Sequence, residues 1–178
     1  MLMKIWAVRI LLTSLWLIVG FVAGNLHSTS TVLAEAPPEF SQVINGKKIT
    51  VNKSEFGVKI FNSQGKANFF PTTKVPLKKG DAYGWRIHLQ NYRGKVKWRE
   101  VLRLPKTPET WATHEKDENF SLSADGTTAI TKRTQTSING VIENFWKIAP
   151  GDPLGKHKIE VYIDDRLIET FEFETVEF

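Results

Sequence analysis

The chain has 178 residues and a formal net charge of +5, from 24 Lys and Arg against 19 Asp and Glu, and it contains no cysteine. The absence of cysteine excludes thiol catalysis, thiolate zinc sites and iron–sulfur clusters. A chain of this length can bury one hydrophobic core without help from a disulfide or a metal ion.

Residues 1–36 have the pattern of a signal peptide. A basic start is followed by an apolar stretch over residues 10–24 and by a small-residue exit, which allows cleavage after Ala34 or Ala36. An uncleaved anchor is the alternative, because the apolar stretch and its flank nearly reach the roughly 20 residues that span a bilayer. We expect an exported protein, periplasmic or extracellular, with residues 37–178 as its single domain.

The rest of the chain has the pattern of an all-β domain. Runs of β-branched and aromatic residues recur, each bounded by Gly, Pro, Asn or Asp. Apolar and polar residues alternate within these runs, which places Trp85, Trp98 and Val161 on a buried face. The sequence predicts an immunoglobulin-like antiparallel β-sandwich of about 7–9 strands. The predicted strands cover residues 47–51, 57–62, 83–91, 95–104, 120–123, 127–133, 141–149, 156–163 and 166–176.

The last two predicted strands form a hairpin. Asp164 and Asp165 lie between two alternating runs, and Asp tolerates the positive φ that a two-residue turn requires. Leu167 starts the final strand in phase, but Phe171 and Phe173 then alternate with acids out of strict register, and a bulge near Glu169 would restore the pattern.

Two predicted loops interrupt the strands. Residues 71–80 are short and basic, whereas residues 105–119 form a long segment that contains Trp111. Because long loops on a rigid β scaffold often bind ligands, Trp111 is a candidate binding residue. The alternative, which we favour, is that Trp111 is a lid over one end of the core.

Charge is distributed unevenly along the chain. Residues 74–106 carry ten Lys or Arg against two acids, and residues 160–178 carry seven acids against one Arg. If residues 83–91 and 95–104 formed a hairpin, like charges would face each other, in the pairs Arg86 with Arg99 and His88 with Lys97. Such pairs repel, so this arrangement predicts an anionic partner: acidic polysaccharide, lipid head groups or an acidic protein.

The immunoglobulin-like topology gives a different arrangement of these charges. It places the strand over residues 95–104 beside the acidic strands, so that Lys95, Lys97 and Arg99 would be neutralised within one sheet face. The neutralising acids would be Glu160, Glu172 and Glu174. We favour this arrangement, because one geometry accounts for both charge clusters.

No catalytic or phosphate-binding motif is present in the sequence. The domain's histidines, His88, His114 and His157, are spread apart, and we expect structural or solvated roles for them. Residues 114–118 combine a histidine with acids, but consecutive loop acids are usually solvated and Lys116 opposes a cation, so we predict no metal site. Glu100 breaks the inward pattern of its strand. A buried carboxylate there would be a site candidate, but we expect a bulge to turn it outward.

Residues 155–173 resemble the closing hairpin of immunoglobulin-like domains, with His157 where many relatives have a corner tyrosine. Together with residues 55–58, 71–76 and 83–85, this hairpin resembles an uncharacterised family of small bacterial exported proteins, known only as a domain of unknown function. The resemblance implies an immunoglobulin-like fold. It implies no activity, because the shared positions are glycines and core residues.

The expected function is that of a non-enzymatic binding or adaptor module outside the cytoplasm, without a cofactor. Its partner would be an envelope protein or an anionic polysaccharide or lipid, and not nucleic acid; an uncleaved N-terminal segment would be its only membrane contact. One alternative is an accessory subunit whose exposed final strand completes an assembly. A hydrolase with dispersed residues is less favoured. The candidate binding residues are Trp111, Arg86, His88, Lys95, Lys97 and Arg99.

Overall fold

The computed structural model describes residues 41–44, 47–90, 92–111 and 118–178, and the predicted signal segment lies outside these ranges. The described ranges contain strands and no helix, and so no helix that could cross a membrane. The strands are β1 (Ser41–Ile44), β2 (Lys47–Phe61), β3 (Ala67–Pro71), β4 (Lys74–Pro76), β5 (Ala82–Gln90), β6 (Lys95–Arg103), β7 (Phe120–Leu122), β8 (Thr128–Thr136), β9 (Val141–Lys147), β10 (Gly155–Ile163) and β11 (Arg166–Val176).

These strands form the two sheets of a sandwich. Sheet A has the order β1-β2-β5-β9, and β3 also pairs with β2. Sheet B has the order β4-β11-β10-β6-β8-β7. The described strand pairs are antiparallel, apart from the parallel pair of β4 and β11. The predicted all-β sandwich is confirmed, and β5 and β6 lie in different sheets, as the immunoglobulin-like arrangement requires.

The core lies between the sheets where the alternating pattern predicted it. Trp85, Trp98 and Val161 are all buried, with exposed fractions of 0%, 4% and 0%. The rings of Trp85 and Trp98 meet edge to face across the sandwich, with centroids 5.2 Å apart. This aromatic contact joins β5 of sheet A to β6 of sheet B.

The prediction was wrong at two places along the chain, within residues 47–62 and within residues 71–80. β2 is one continuous strand, where the sequence indicated two, because a bulge between Val51 and Lys53 absorbs the break in the pattern. The predicted loop over residues 71–80 contains β4, whose central residue Val75 is fully buried. The short strands β1 and β3 were also not predicted, so the described ranges contain eleven strands, more than the predicted 7–9.

The closing hairpin agrees with the sequence. Asp164 and Asp165 have φ of 44° and 65°, as the two-residue turn requires. The register shifts so that Val161 pairs with Glu169 while Tyr162 pairs with Leu167. The extra residue is next to Glu169, so the predicted bulge is confirmed.

Candidate functional site

A row of cations follows the outer face of β6. Inward residues of this strand are buried, whereas Lys95 and Lys97 are exposed and Arg99 is partly exposed. Arg99 pairs in register with Lys132 of β8, while Thr136 and Thr134 lie beside the two lysines. Because register partners point to the same side of a sheet, these cations share one surface. We call Lys95, Lys97, Arg99 and Lys132 the basic strip.

The expected neutralisation of this strip was wrong for its lysines. β6 and β10 are neighbours as predicted, but their pairing ends with Ile163 opposite Trp98, so Lys95 and Lys97 extend past the end of β10. In the described ranges, no carboxylate forms an ion pair with Lys95, Lys97 or Lys132. The sequence indicated that β6 and β10 are adjacent, but it did not show which residue of β6 lies opposite the end of β10.

The acids of β10 and β11 lie beside other cations. Glu172 pairs in register with Lys158, and Glu174 with Lys156. Glu160 forms ion pairs with Lys158 at 2.9 Å and Arg103 at 3.4 Å. The hydrogen bond from Lys158 is the main cause that lowers the pKa of Glu160. Glu160 is therefore paired with cations that do not belong to the basic strip.

Within the strip, Arg99 contacts a tyrosine ring and one exposed carboxylate. Its guanidinium lies 3.7 Å from the ring centroid of Tyr162, and its Nε is 3.7 Å from Asp165, which is 94% exposed. An ion pair at this distance with so exposed a partner contributes little. Arg99 is therefore held in place chiefly by the tyrosine ring, and its charge is still available at the surface.

Arg86 and His88 lie on the outer face of sheet A, away from the strip on sheet B. The hairpin register that would place them opposite Arg99 and Lys97 is therefore wrong. His88 Nε2 is 3.1 Å from Glu55 Oε2. The pKa of Glu55 is lowered, mainly by its hydrogen bond with Lys53.

Glu100 is fully buried, so the expectation that a bulge turns it outward was wrong. Its carboxylate accepts hydrogen bonds from Trp85 Nε1, from Asn144 Nδ2 at 3.0 Å and from Trp146 Nε1 at 2.6 Å. All three donors come from sheet A, whereas Glu100 comes from sheet B. Burial raises the pKa of Glu100, although the three hydrogen bonds oppose that shift. The carboxylate joins the two sheets.

Trp111 matches the lid that we favoured. Its ring centroid is 5.9 Å from that of Trp146 and 6.1 Å from that of Phe120. Its Nε1 donates to the carbonyl oxygen of Gly126 at 3.1 Å. The side chain is partly buried and covers the indole that reaches Glu100. Whether it also contacts a ligand stays a prediction.

Sheet B also has a concavity of about 440 Å³, lined by residues of β4, β6, β10 and β11. His157 lines it, but the imidazole is buried, stacks on Phe173 at 5.0 Å between ring centroids, and has Nδ1 2.9 Å from Gly155 O. Burial lowers the pKa of His157, which favours the neutral ring. The charged lining residues are Lys74, Arg103, Lys156, Lys158, Glu172 and Glu174.

Metal ligands do not cluster in the part of the chain that the structure describes, where no group of three His, Asp or Glu side chains could hold an ion. The loop considered in the sequence, residues 114–118, lies outside the described residues except for Glu118.

Comparison with known proteins shows the family. A solved structure of an immunoglobulin-like protein from Pseudomonas aeruginosa is similar, with 20% sequence identity over 70% of this chain and 93% of that chain, and a TM-score of 0.44. None of the curated proteins matches the sequence. The profile of the PM0630 beta sandwich domain matches residues 54–176, which is more than half of the chain. The chain therefore belongs to the PM0630 beta sandwich domain family.

Proposed function

We propose that this β-sandwich is a non-enzymatic binding module that works outside the cytoplasm and holds an acidic polysaccharide of the cell envelope on the basic strip. The observation that carries the proposal is that Lys95, Lys97 and Lys132 share one exposed face and make no ion pair within the described ranges. Unpaired cations on a rigid sheet attract an anionic partner.

The geometry of the strip suits an extended polyanion. Alternate residues of a strand are separated by about 6.5–7 Å, so Lys95, Lys97 and Arg99 follow one another at that spacing on the outer face of β6. The hydroxyl groups of Thr134 and Thr136 lie in register beside the two lysines. A hydroxyl can both donate and accept a hydrogen bond, so these threonines provide contacts for sugar hydroxyls next to the charges.

The charge pattern also favours binding. Arg99 and Lys132 are direct cross-strand neighbours. Like charges in such positions destabilise a sheet, and pairs of this kind are worth about 0.2–1 kcal/mol. A carboxylate or sulfate placed between the two cations would remove this repulsion, so the ligand stabilises the face that it covers.

The buried groups support a non-enzymatic function. Both oxygens of Glu100 are engaged by core donors and the side chain is enclosed. His157 is buried, and His88 is paired with Glu55. Export is supported by the signal-peptide pattern of residues 1–36.

The test is binding of the purified protein to polygalacturonate, measured by calorimetry. The variant K95Q/K97Q should bind roughly fivefold to tenfold more weakly, because it loses two exposed charge contacts. The control K66Q/K79Q removes two exposed lysines outside the strip and should bind like the wild type. Added salt should weaken wild-type binding.

If both double variants lost affinity for polygalacturonate equally, binding would depend only on the net charge of the protein. That result would contradict a binding site on the basic strip. Vesicles that contain phosphatidylglycerol provide a second arm. Binding to those vesicles without binding to polygalacturonate would replace the polysaccharide by an anionic lipid surface as the partner.

A second candidate function is an accessory subunit of an envelope assembly. One observation favours it: β11 pairs with β10 along its length, whereas β4 joins it only from Glu174 onward. The earlier part of β11 is therefore an open edge within the described ranges, and such edges invite another strand. A protein that is strictly monomeric by light scattering, and that co-purifies with no partner from cells, would count against this function.

A further inference from the structure

The outer face of sheet A holds an arginine in an unusual position. Arg86 is the central member of a register row on β5, with Glu55 of β2 on one side and Glu143 of β9 on the other. Its guanidinium carbon lies 3.6 Å from the ring centroid of Phe69 on β3. This stacking fixes the plane of the guanidinium against the sheet.

Neither neighbouring carboxylate is bonded to Arg86. Glu55 pairs with Lys53 at 2.7 Å and with His88 at 3.1 Å. Glu143 pairs with Lys59 at 2.8 Å. Both acids are therefore committed to other cations, and no hydrogen bond or ion pair joins Arg86 to a described residue.

The donors of Arg86 are unsatisfied in two ways. Its Nε is buried without a hydrogen-bond partner. Among the described residues, the two terminal nitrogens also have no hydrogen-bond partner, but they are not enclosed, so they keep contact with solvent. A guanidinium that is oriented by stacking but has no acceptor is prepared to bind a planar oxyanion through two parallel hydrogen bonds.

An aromatic platform surrounds this guanidinium. The rings of Phe69 and Phe145 meet edge to face with centroids 5.9 Å apart, and Lys59 Nζ lies 3.6 Å from the Phe145 centroid. Both rings are partly exposed. The platform can therefore contact the apolar part of a ligand whose charged group binds Arg86.

The net charge of the side chains around Arg86 favours a monoanion over a dianion. Arg86, Lys53 and Lys59 provide three positive charges, and Glu55 and Glu143 remove two of them. These five side chains sum to one positive charge, which matches a monoanion. A dianionic phosphate would be repelled by the two nearby carboxylates.

We propose that Arg86, stacked on Phe69, anchors a second binding site that takes a carboxylate attached to an apolar body. The site lies on sheet A, so it is independent of the basic strip on sheet B. The carboxylate can belong to a small free acid or to the C-terminal residue of a peptide, and both present the same chemistry to the guanidinium.

The test is an NMR titration of the protein with sodium benzoate, in which the Arg86 Nε–H signal and the backbone amides of β3, β5 and β9 are followed. Saturable shifts are expected at these positions, and benzamide, which lacks the charge, should not produce them. R86K keeps the charge but loses the planar fork, and should bind about tenfold more weakly. R86Q should abolish the shifts.

Two controls isolate the site. R166Q removes an exposed arginine at the turn between β10 and β11 and should bind benzoate like the wild type. K95Q/K97Q should also bind benzoate like the wild type. The benzoate titration therefore tests the Arg86 site independently of polysaccharide binding to the basic strip. The amide spectrum of R86Q shows whether that variant folds. If R86Q does not fold, the more conservative variant R86K still tests whether benzoate binding depends on the guanidinium.

The source of the carboxylate follows from a second titration, with N-acetylphenylalanine. Tighter binding than benzoate assigns the site to a peptide C-terminus, and the reverse order assigns it to a small acid. The proposal is overturned if neither probe gives saturable shifts, if benzamide acts like benzoate, if the shifts map to the basic strip, or if R86K binds as tightly as the wild type.

Discussion

Replacing Glu100 by glutamine should change how the stability of the sandwich depends on pH. The carboxylate of Glu100 joins sheet B to three donors of sheet A, on Trp85, Asn144 and Trp146. Burial raises its pKa above the ordinary value of 4.5. The folded protein therefore holds the proton of Glu100 at pH values where the unfolded chain has already released it.

The sign of the effect follows from this difference in proton binding. Below pH 4.5 both states are protonated at Glu100 and its contribution to stability is fully present. As the pH rises above that value, the free energy of unfolding falls by up to about 1.4 kcal/mol per pH unit, until the folded protein also ionises. Glutamine does not titrate, so the variant lacks this component.

Glutamine also changes the hydrogen bonds, because its amide nitrogen cannot accept from an indole N–H. One buried donor is left without an acceptor, which costs about 1–3 kcal/mol. The variant E100Q should therefore be less stable than the wild type by about this amount near pH 5. The difference should narrow as the pH rises.

The assay is urea unfolding followed by tryptophan fluorescence at pH values from 4.5 to 7.5. The control E172Q changes an exposed carboxyl of β11 and should keep the pH dependence of the wild type, with a stability within about 0.5 kcal/mol. Parallel pH profiles for E100Q and the wild type would contradict a raised pKa of Glu100 in the folded protein. A difference that grows with pH would show that the three donors stabilise an ionised carboxylate.

Three further predictions concern the core and its cover. Gly84→Ala should destabilise the fold by about 1–3 kcal/mol, because the added methyl group would overlap the carbonyl oxygen of Asn144; an unchanged urea midpoint would contradict this. Trp111→Ala should lower stability by about 1–3 kcal/mol, because it uncovers Trp146, whereas a residue used only for binding would leave stability unchanged. Burial lowers the pKa of His157, so its contribution to stability is present above pH 6.5 and is lost as the pH falls. NMR titration of its ring should therefore give a midpoint below 6.5, and a midpoint above that value would contradict the buried placement.

The strands that alternation identifies best are those with long buried faces. β5 and β10 each span nine residues, enough for the period of two to show clearly. β1, β3 and β4 have four, five and three residues and were not predicted. Such short segments hold too few repeats to reveal a period, and their position depends on contacts with distant strands.

The environment of Glu100 shows a second limit of the sequence. Its phase along β6 pointed inward, but the donors that make burial tolerable come from β5 and β9 in the opposite sheet. Sequence alone does not bring those strands together, so an outward bulge was preferred. The sequence does contain one indication of these donors, because Asn144 and Trp146 are two residues apart and so lie on the same face of β9.

The basic strip shows the same limit for charge. The sequence indicated that β6 and β10 are neighbours, and this is confirmed. The neutralisation of Lys95 and Lys97 depended on how far β10 extends along β6, which the turn at Asp164 determines. Arg86 illustrates the same point, because its stacking on Phe69 requires the pairing of β3 with β2, which the sequence did not reveal.

The basic strip on β6 and β8 is the proposed binding site for an acidic polysaccharide. The most direct measurement is to map polygalacturonate binding by backbone amide shifts in the labelled protein. We expect the largest shifts at Lys95, Lys97 and Lys132, and we expect them to follow a single saturation curve. Shifts confined to other surfaces, or no saturable shift at any concentration, would contradict this proposal.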